Sequence, residues 1–239
     1  MSLKILAILG IRSGSKGLKH KNIKILNKLP LFAHIVLKAK KSKFITRLIV
    51  STDSKKYGNL AKNYGAEVPF LRSKRLANDK SDELDFIKDL LNYLKNAEKY
   101  YPDIIVRLLA TTPFQTTKDI DNSILSLIKN STIDSCSVIS EAKQHPEKAL
   151  KIKNGNLVGY YSNNSIDIGK KQTRQKFQKA FFRANIISTR LKTIKKYNSL
   201  TGKKNAYVSI PQFRSIDIDS KFDFDLAKMI MEKNEKNYT

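Results

Sequence analysis

The chain has 239 residues, 41% of them hydrophobic and none of them Trp, which suits one compact globular domain and excludes a disordered polymer. Lys and Arg outnumber Asp and Glu by 46 to 21, a net charge of +25 that is either affinity for polyanions or the lysine-rich background of an AT-rich genome; the even spread of lysines favours the second. A single cysteine, Cys136, excludes an internal disulfide and suits a reducing cytoplasm, and the scattered His20, His34 and His145 form no zinc-type cluster.

Leu3–Leu9 opens the chain as a buried strand, too short for a membrane span and without a cleavage site after it. A cytosolic protein that is not an integral membrane protein is therefore expected. Pro30 marks a helix start, with Leu31, His34, Ile35 and Leu37 on the helix before lysines end it. Leu48–Val50 is the next strand, a short helix runs to Tyr64 and stops at Gly65, and Val68–Leu71 reads as a further short strand. Leu84, Ile87, Leu91 and Leu94 give helical spacing over 82–99. Ile104–Leu109 is a strand, apolar except for Arg107. Ile120, Ile124, Leu127 and Ile128 mark another helix, with acids at its start and Lys129 at its end. This alternation predicts an α/β fold with a mostly parallel sheet and helices on both faces. A hairpin follows, with Asn154-Gly155 supplying the positive φ angles of a type I′ turn. Residues 162–179 show no periodicity and read as either a lid or an arm that docks on a partner. The alternation resumes at Phe181 and closes with a helix over 222–233. The expected organisation is one domain, 1–239, with 140–180 as an inserted arm or lid.

The loop after the first strand, Arg12-Ser13-Gly14-Ser15-Lys16-Gly17-Leu18-Lys19-His20-Lys21-Asn22, sits where α/β sheets bind ligands. Gly14 and Gly17 let backbone N–H groups approach an anion, and Arg12, Lys16, Lys19 and Lys21 add charge. Its spacing is neither the Walker pattern nor the dinucleotide fingerprint. The residues alone leave two readings, a phosphate cradle or a solvated basic turn. Near the other end, Ile216-Asp217-Ile218-Asp219 alternates, which predicts a strand with both carboxylates on one face, about 7 Å apart at their Cα atoms. Such a pair holds a hard cation or simply pairs with lysines. Ser220 and Asp223 predict a capping pair for the last helix.

Arg12–Asn22 resembles the Arg-x-Gly-Ser-Lys-Gly…Asn signature of the acylneuraminate cytidylyltransferases, the CMP-sialic acid synthetases. Further segments match in order from residue 3 to about 231: Val50–Ser54, Leu71-Arg72 with Leu76–Asp79, Leu108–Pro113, His145-Pro146-Glu147-Lys148, Arg174-Gln175, Phe182–Asn185 and Ser215–Asp219. The resemblance implies a Rossmann-like nucleotidyltransferase fold with a small inserted hairpin that serves as a dimerisation arm. It also implies transfer of CMP from CTP to the anomeric hydroxyl of an acidic nonulosonic sugar, with release of pyrophosphate. Arg12, Ser15, Lys16, Gly17 and Lys21 would hold the triphosphate, with Lys21 facing the charge that builds on the leaving group. Asn22, Arg72 and Ser81 would meet the nucleoside. Asp217 and Asp219 would bind Mg2+, while Lys148, Arg174, Gln175 and Leu109 would meet the sugar, in part across a homodimer interface. The partners implied are CTP and the sugar, with no nucleic acid and no membrane.

The chain departs from that family at Leu109–Gln115, where Leu109 stands for a Gln and Gln115 for an Arg, and at Ile186, where the family has Gly. Leu109 removes an amide from the sugar side and Gln115 replaces a charge, which points away from N-acetylneuraminate; with Lys176-Phe177-Gln178 after Arg174-Gln175 in place of the family's Gln-Leu-Pro, a lid rebuilt for a legionaminate-like or pseudaminate-like acid is expected. The competing readings are a CMP-Kdo-type cytidylyltransferase and a basic nucleic-acid-binding α/β module.

Overall fold

The computed structural model describes residues 2–15, 17–79, 81–161 and 178–233. Six strands form the main sheet: β1 (Ile5–Gly10), β4 (Arg47–Ser51), β5 (Ile104–Leu108), β6 (Ser135–Glu141), β9 (Phe181–Arg190) and β10 (Asn205–Ser209), in the order β10-β6-β9-β5-β1-β4. β1 is parallel to both β4 and β5, and β10 is parallel to β6. β9 alone runs antiparallel, wedged between β5 and β6.

The apolar run of β1 is continuous because both faces of the sheet are covered. Ile5, Ala7 and Leu9 share a core with α1 (Leu31–Lys40), α2 (Lys55–Asn63) and α4 (Thr117–Lys129) through Phe32, Tyr57 and Ile120. Leu6 and Ile8 point the other way, into a core with Leu84, Ile87, Leu90 and Leu94 of α3 (Glu83–Glu98) and Ile194 of α5 (Leu191–Tyr197). The alternation along one strand thus places helices on both sides, as the sequence predicts. A third cluster joins Leu31 of α1 and Phe114 to Ile218 and to Phe224, Ala227 and Met231 of α6 (Lys221–Lys233).

Local signals at element ends are realised. Asp82 caps α3 by accepting from the Leu84 N–H, and Thr116 and Asp119 form a reciprocal capping box on α4. Gly65 has φ +82° after α2. The hairpin β7 (Leu150–Lys153) and β8 (Asn156–Gly159) turns on Asn154 and Gly155, both at positive φ, and pairs only with itself. A second ribbon, β2 (Ile25–Leu26) with β3 (Leu29–Pro30), turns on Asn27 and Lys28, also at positive φ. It carries no glycine, so sequence gives little sign of it.

Two expected strands do not form. Of Val68–Leu71 only the neighbouring Glu67 bridges to Ile49, since Pro69 has no N–H to extend a ladder. Residues 216–219 form no strand either. Pro211 and the turn Gln212–Ser215 lead the chain off β10, and Ile218 N–H then bonds the Thr111 carbonyl at 2.9 Å beyond the end of β5. That detour carries Asp217 and Asp219 to the first loop.

Candidate active site

The first loop is pinned at both ends by side chains. Ser13 donates its N–H and its hydroxyl to the Asp53 carboxylate, at 2.8 and 2.7 Å, and buried Asn22 donates its amide to the Arg12 carbonyl at 3.0 Å. Asp53 ends the segment after β4, so the loop is tied to the neighbouring strand. The loop rims a cleft of about 570 Å3, within the range of small-molecule sites.

Most of the site residues expected from sequence meet there. Arg12, Ser15, Gly17, Lys21 and Asn22 contribute from the first loop. Arg72, Ser81 and Leu109 line the walls, and Asp217 and Asp219 close the far side. Lys16, Arg174 and Gln175 lie outside the described residues. Lys148 is exposed on the turn Pro146–Lys148 leading to the hairpin and does not line the cleft.

The cleft's cations are paired with its acids. Arg12 Nη2 lies 2.6 Å from Asp79 Oδ1, and Lys21 Nζ lies 2.8 Å from Asp219 Oδ1. Arg72 is buried, donating to the Ser51 hydroxyl and carbonyl at 3.0 and 2.7 Å, with its guanidinium 3.7 Å from the Phe86 ring centroid. Burial draws its pKa down to about 10 against the attraction of Asp53 and Glu83, so it stays a cation at neutral pH. Gly10 makes this packing possible, because a Cβ there would sit 2.6 Å from Phe86 and 2.9 Å from Arg72 Nη2. Asn22 and Ser81 spend polar atoms on shaping the walls, Ser81 by donating to the Arg75 carbonyl at 2.7 Å.

Gly17 packs its Cα against the Asp219 carbonyl, where a Cβ would stand 2.6 Å from that oxygen. We expect Gly17→Ala to push the first loop off the acidic segment and lower kcat/KM for CTP by about 10- to 100-fold, the scale of an ångström-level misplacement. Steady-state kinetics on the folded variant checks this, and unchanged values would mean that the contact has no bearing on nucleotide binding.

The two aspartates differ. Asp219 is turned outward to Lys21, whereas Asp217 accepts from Asn185 Nδ2 at 2.7 Å with Oδ2 and keeps a buried Oδ1 without a hydrogen-bond donor among the described residues. An anionic oxygen desolvated in this way suits a cation ligand. No group of three or more His, Cys, Asp or Glu suited to a metal occurs among the described residues. A pair of carboxylates is instead the protein share typical of Mg2+, which takes its other ligands from water and substrate phosphates.

Gln115 does not line the cleft. It is fully buried, accepts from the Thr112 hydroxyl at 2.9 Å and donates to the Ala184 carbonyl, so its replacement of an Arg changes the support of β9. Ile186, also on β9, is buried in the core. Asp53, Asp79, Glu83, Phe86 and Asn185 carry parts of the site that sequence reasoning left without a role. Asp53, Asp79 and Asn185 lay inside segments already singled out; Glu83 and Phe86 fell on a helix read only for its apolar spacing.

A mostly parallel sheet whose first strand runs into a cationic loop, facing acids at the same end, defines a nucleotidyltransferase. The cytidylyltransferase family profile matches residues 6–237. The chain is 32% identical over 241 residues to a CMP-N,N'-diacetyllegionaminic acid synthase of Legionella pneumophila, covering 98% of this chain and 99% of that one. It is 29% identical over 253 residues to an N-acylneuraminate cytidylyltransferase of Escherichia coli, covering 99% of this chain and 54% of the relative. The solved structure of a CMP:2-keto-3-deoxy-manno-octonic acid synthetase complexed with CTP shares the fold, with a TM-score of 0.71 at 13% identity over 96% of this chain and 99% of that one. The protein belongs to the cytidylyltransferase family and is an enzyme of that class. Among the described residues, no helix is long and apolar enough to cross a membrane.

Proposed function

We propose that the enzyme transfers CMP from CTP to the anomeric hydroxyl of an acidic nonulosonic sugar and releases pyrophosphate. The observation that carries the reading is the meeting of Arg12 and Lys21 with Asp217 and Asp219 across one cleft. In-line attack of the sugar hydroxyl on the α-phosphorus forms the new P–O bond as the bond to pyrophosphate breaks. The protein's share is positioning and charge neutralisation. Arg12, tethered through its carbonyl to Asn22, grips phosphate oxygens, and Lys21 meets the charge that develops on the leaving group. Asp217 and Asp219 would hold Mg2+. When bound, the ion neutralises phosphate charge and acidifies a coordinated hydroxyl.

Legionaminate-like and pseudaminate-like acids fit better than N-acetylneuraminate, because Leu109 lines the cleft where the sialate enzymes carry an amide. The 32% identity to a legionaminate synthase supports the same choice. We further infer a cytoplasmic homodimer in which the hairpin arm reaches the second subunit and brings Lys148 and Arg174 to its sugar. Support comes from Ile152 and Tyr161, 78% and 66% exposed beside the hairpin turn and end, and from the lone buried thiol of Cys136.

The test is pyrophosphate release with CTP, Mg2+ and a panel of acids. Turnover is expected with the diacetamido nonulosonic acids, less with N-acetylneuraminate and least with Kdo. Turnover confined to Kdo, or absent with every nonulosonic acid, would overturn the reading.

A further inference from the structure

Arg107 is the lone charged residue in a strand otherwise apolar, and no step described so far uses it. It projects from β5 toward β9, where the ladder with β6 is broken. Ser137 pairs Ile187, but Ile139 pairs Arg183, so Ala184, Asn185 and Ile186 stand opposite Val138 alone. Such a bulge frees backbone groups and re-aims side chains. Two carbonyls within the bulge accept from side chains outside it: Gln115 donates to that of Ala184, and Arg107 Nη1 donates to that of Asn185 at 2.9 Å. Arg107 is in turn ion-paired with Glu83, Nε lying 3.3 Å from its Oε2 without making a hydrogen bond among the described residues. Asn185 adopts φ +67°, a left-handed conformation that Asn tolerates better than most residues. In that conformation its amide reaches Asp217 Oδ2 at 2.7 Å, leaving the buried Oδ1 without a donor.

We propose that Arg107, braced by Glu83, is a positioning residue for Asp217. By fixing the Asn185 carbonyl in the β9 bulge, it aims the Asn185 amide at one carboxylate oxygen and reserves the other for the cation. The inference rests on the reading of Asp217 as a metal ligand. Partners that orient a ligating carboxylate change metal affinity by about 10- to 100-fold when removed. Gln115 braces the preceding carbonyl, so the bulge is held from β5 and from the loop before α4.

The test measures CTP affinity by titration calorimetry without sugar, at trace and at saturating Mg2+. Arg107→Met is combined with Glu83→Gln, so that no half-buried acid is left without its counter-charge. Asn185→Gly is the second variant, since it keeps the left-handed backbone and deletes only the amide. In the wild type Mg2+ is expected to tighten CTP binding. Both variants are expected to stay folded and to lose about tenfold or more of the tightening, read as the ratio of CTP affinity at saturating to trace Mg2+ within each variant. Wild-type tightening in folded Asn185→Gly and in the double variant, with Asp217→Asn impaired, would overturn the positioning role while leaving the metal reading intact. Wild-type tightening in Asp217→Asn itself would bring down the metal reading and this inference with it.

Discussion

Lys21→Ala is expected to fold normally and to release pyrophosphate about 10²- to 10³-fold more slowly at saturating CTP, the cost of deleting one preorganised charge at a developing anion. The ammonium sits at the end of a side chain only 15% exposed, against an Asp219 that is 75% exposed. A pair with one partner in open water contributes at most about 1 kcal/mol to stability, so the melting temperature moves little. The loss falls on kcat more than on KM, because charge on the leaving group grows only as the bond to pyrophosphate breaks. Lys21→Arg keeps the charge but not the compact ammonium, and should recover part of the rate. A kcat for Lys21→Ala within threefold of the wild type would remove Lys21 from this role. The ammonium and Asp219 neutralise each other, so a triphosphate and a cation binding together would each take over one half of this pair.

Asp217→Asn is expected to abolish Mg2+-stimulated pyrophosphate release, a fall of about 10³-fold if the ion supplies the several kcal/mol usual for such charge stabilisation. Its stability should not fall. The replacement keeps an oxygen to accept from Asn185, and it removes a negative charge from beside a buried oxygen that has no hydrogen-bond donor among the described residues. The sign separates the two roles open to this residue. A structural aspartate would lose melting temperature on amidation, whereas a ligand held ready at a cost to stability loses activity and keeps or gains stability. Calorimetry and a coupled pyrophosphate assay on one preparation decide it. Retained Mg2+ stimulation would make the carboxylate structural.

The family resemblance and the core were legible in the residues, and the failures have local causes. Val68–Leu71 has the right composition for a strand, but Pro69 interrupts it, and local pattern cannot tell an edge bridge from a ladder. The alternation of Ile216–Asp219 does not reveal that these residues form no strand. Leu109 and Gln115 stand out together as departures, but only the fold separates them: Leu109 lines the cleft, whereas the Gln115 side chain points inward to β9.

The order of apolar runs, glycines, caps and basic residues by itself determined the layered α/β plan, the cationic loop after the first strand and the hairpin turn, because each depends on contacts or dihedral preferences within a few residues. Tertiary structure alone decided the antiparallel insertion of β9 and its bulge, and the pairing of Arg12 with Asp79 and of Lys21 with Asp219, the latter 198 positions apart. It also decided the passage from Glu83 through Arg107 and Asn185 to Asp217. A period of two or of 3.6 residues says which side of an element is buried, but strand direction and partner are set by packing and chain connection. For that reason the reactive groups could be named from sequence, while the groups that aim them became visible only once the chain was folded.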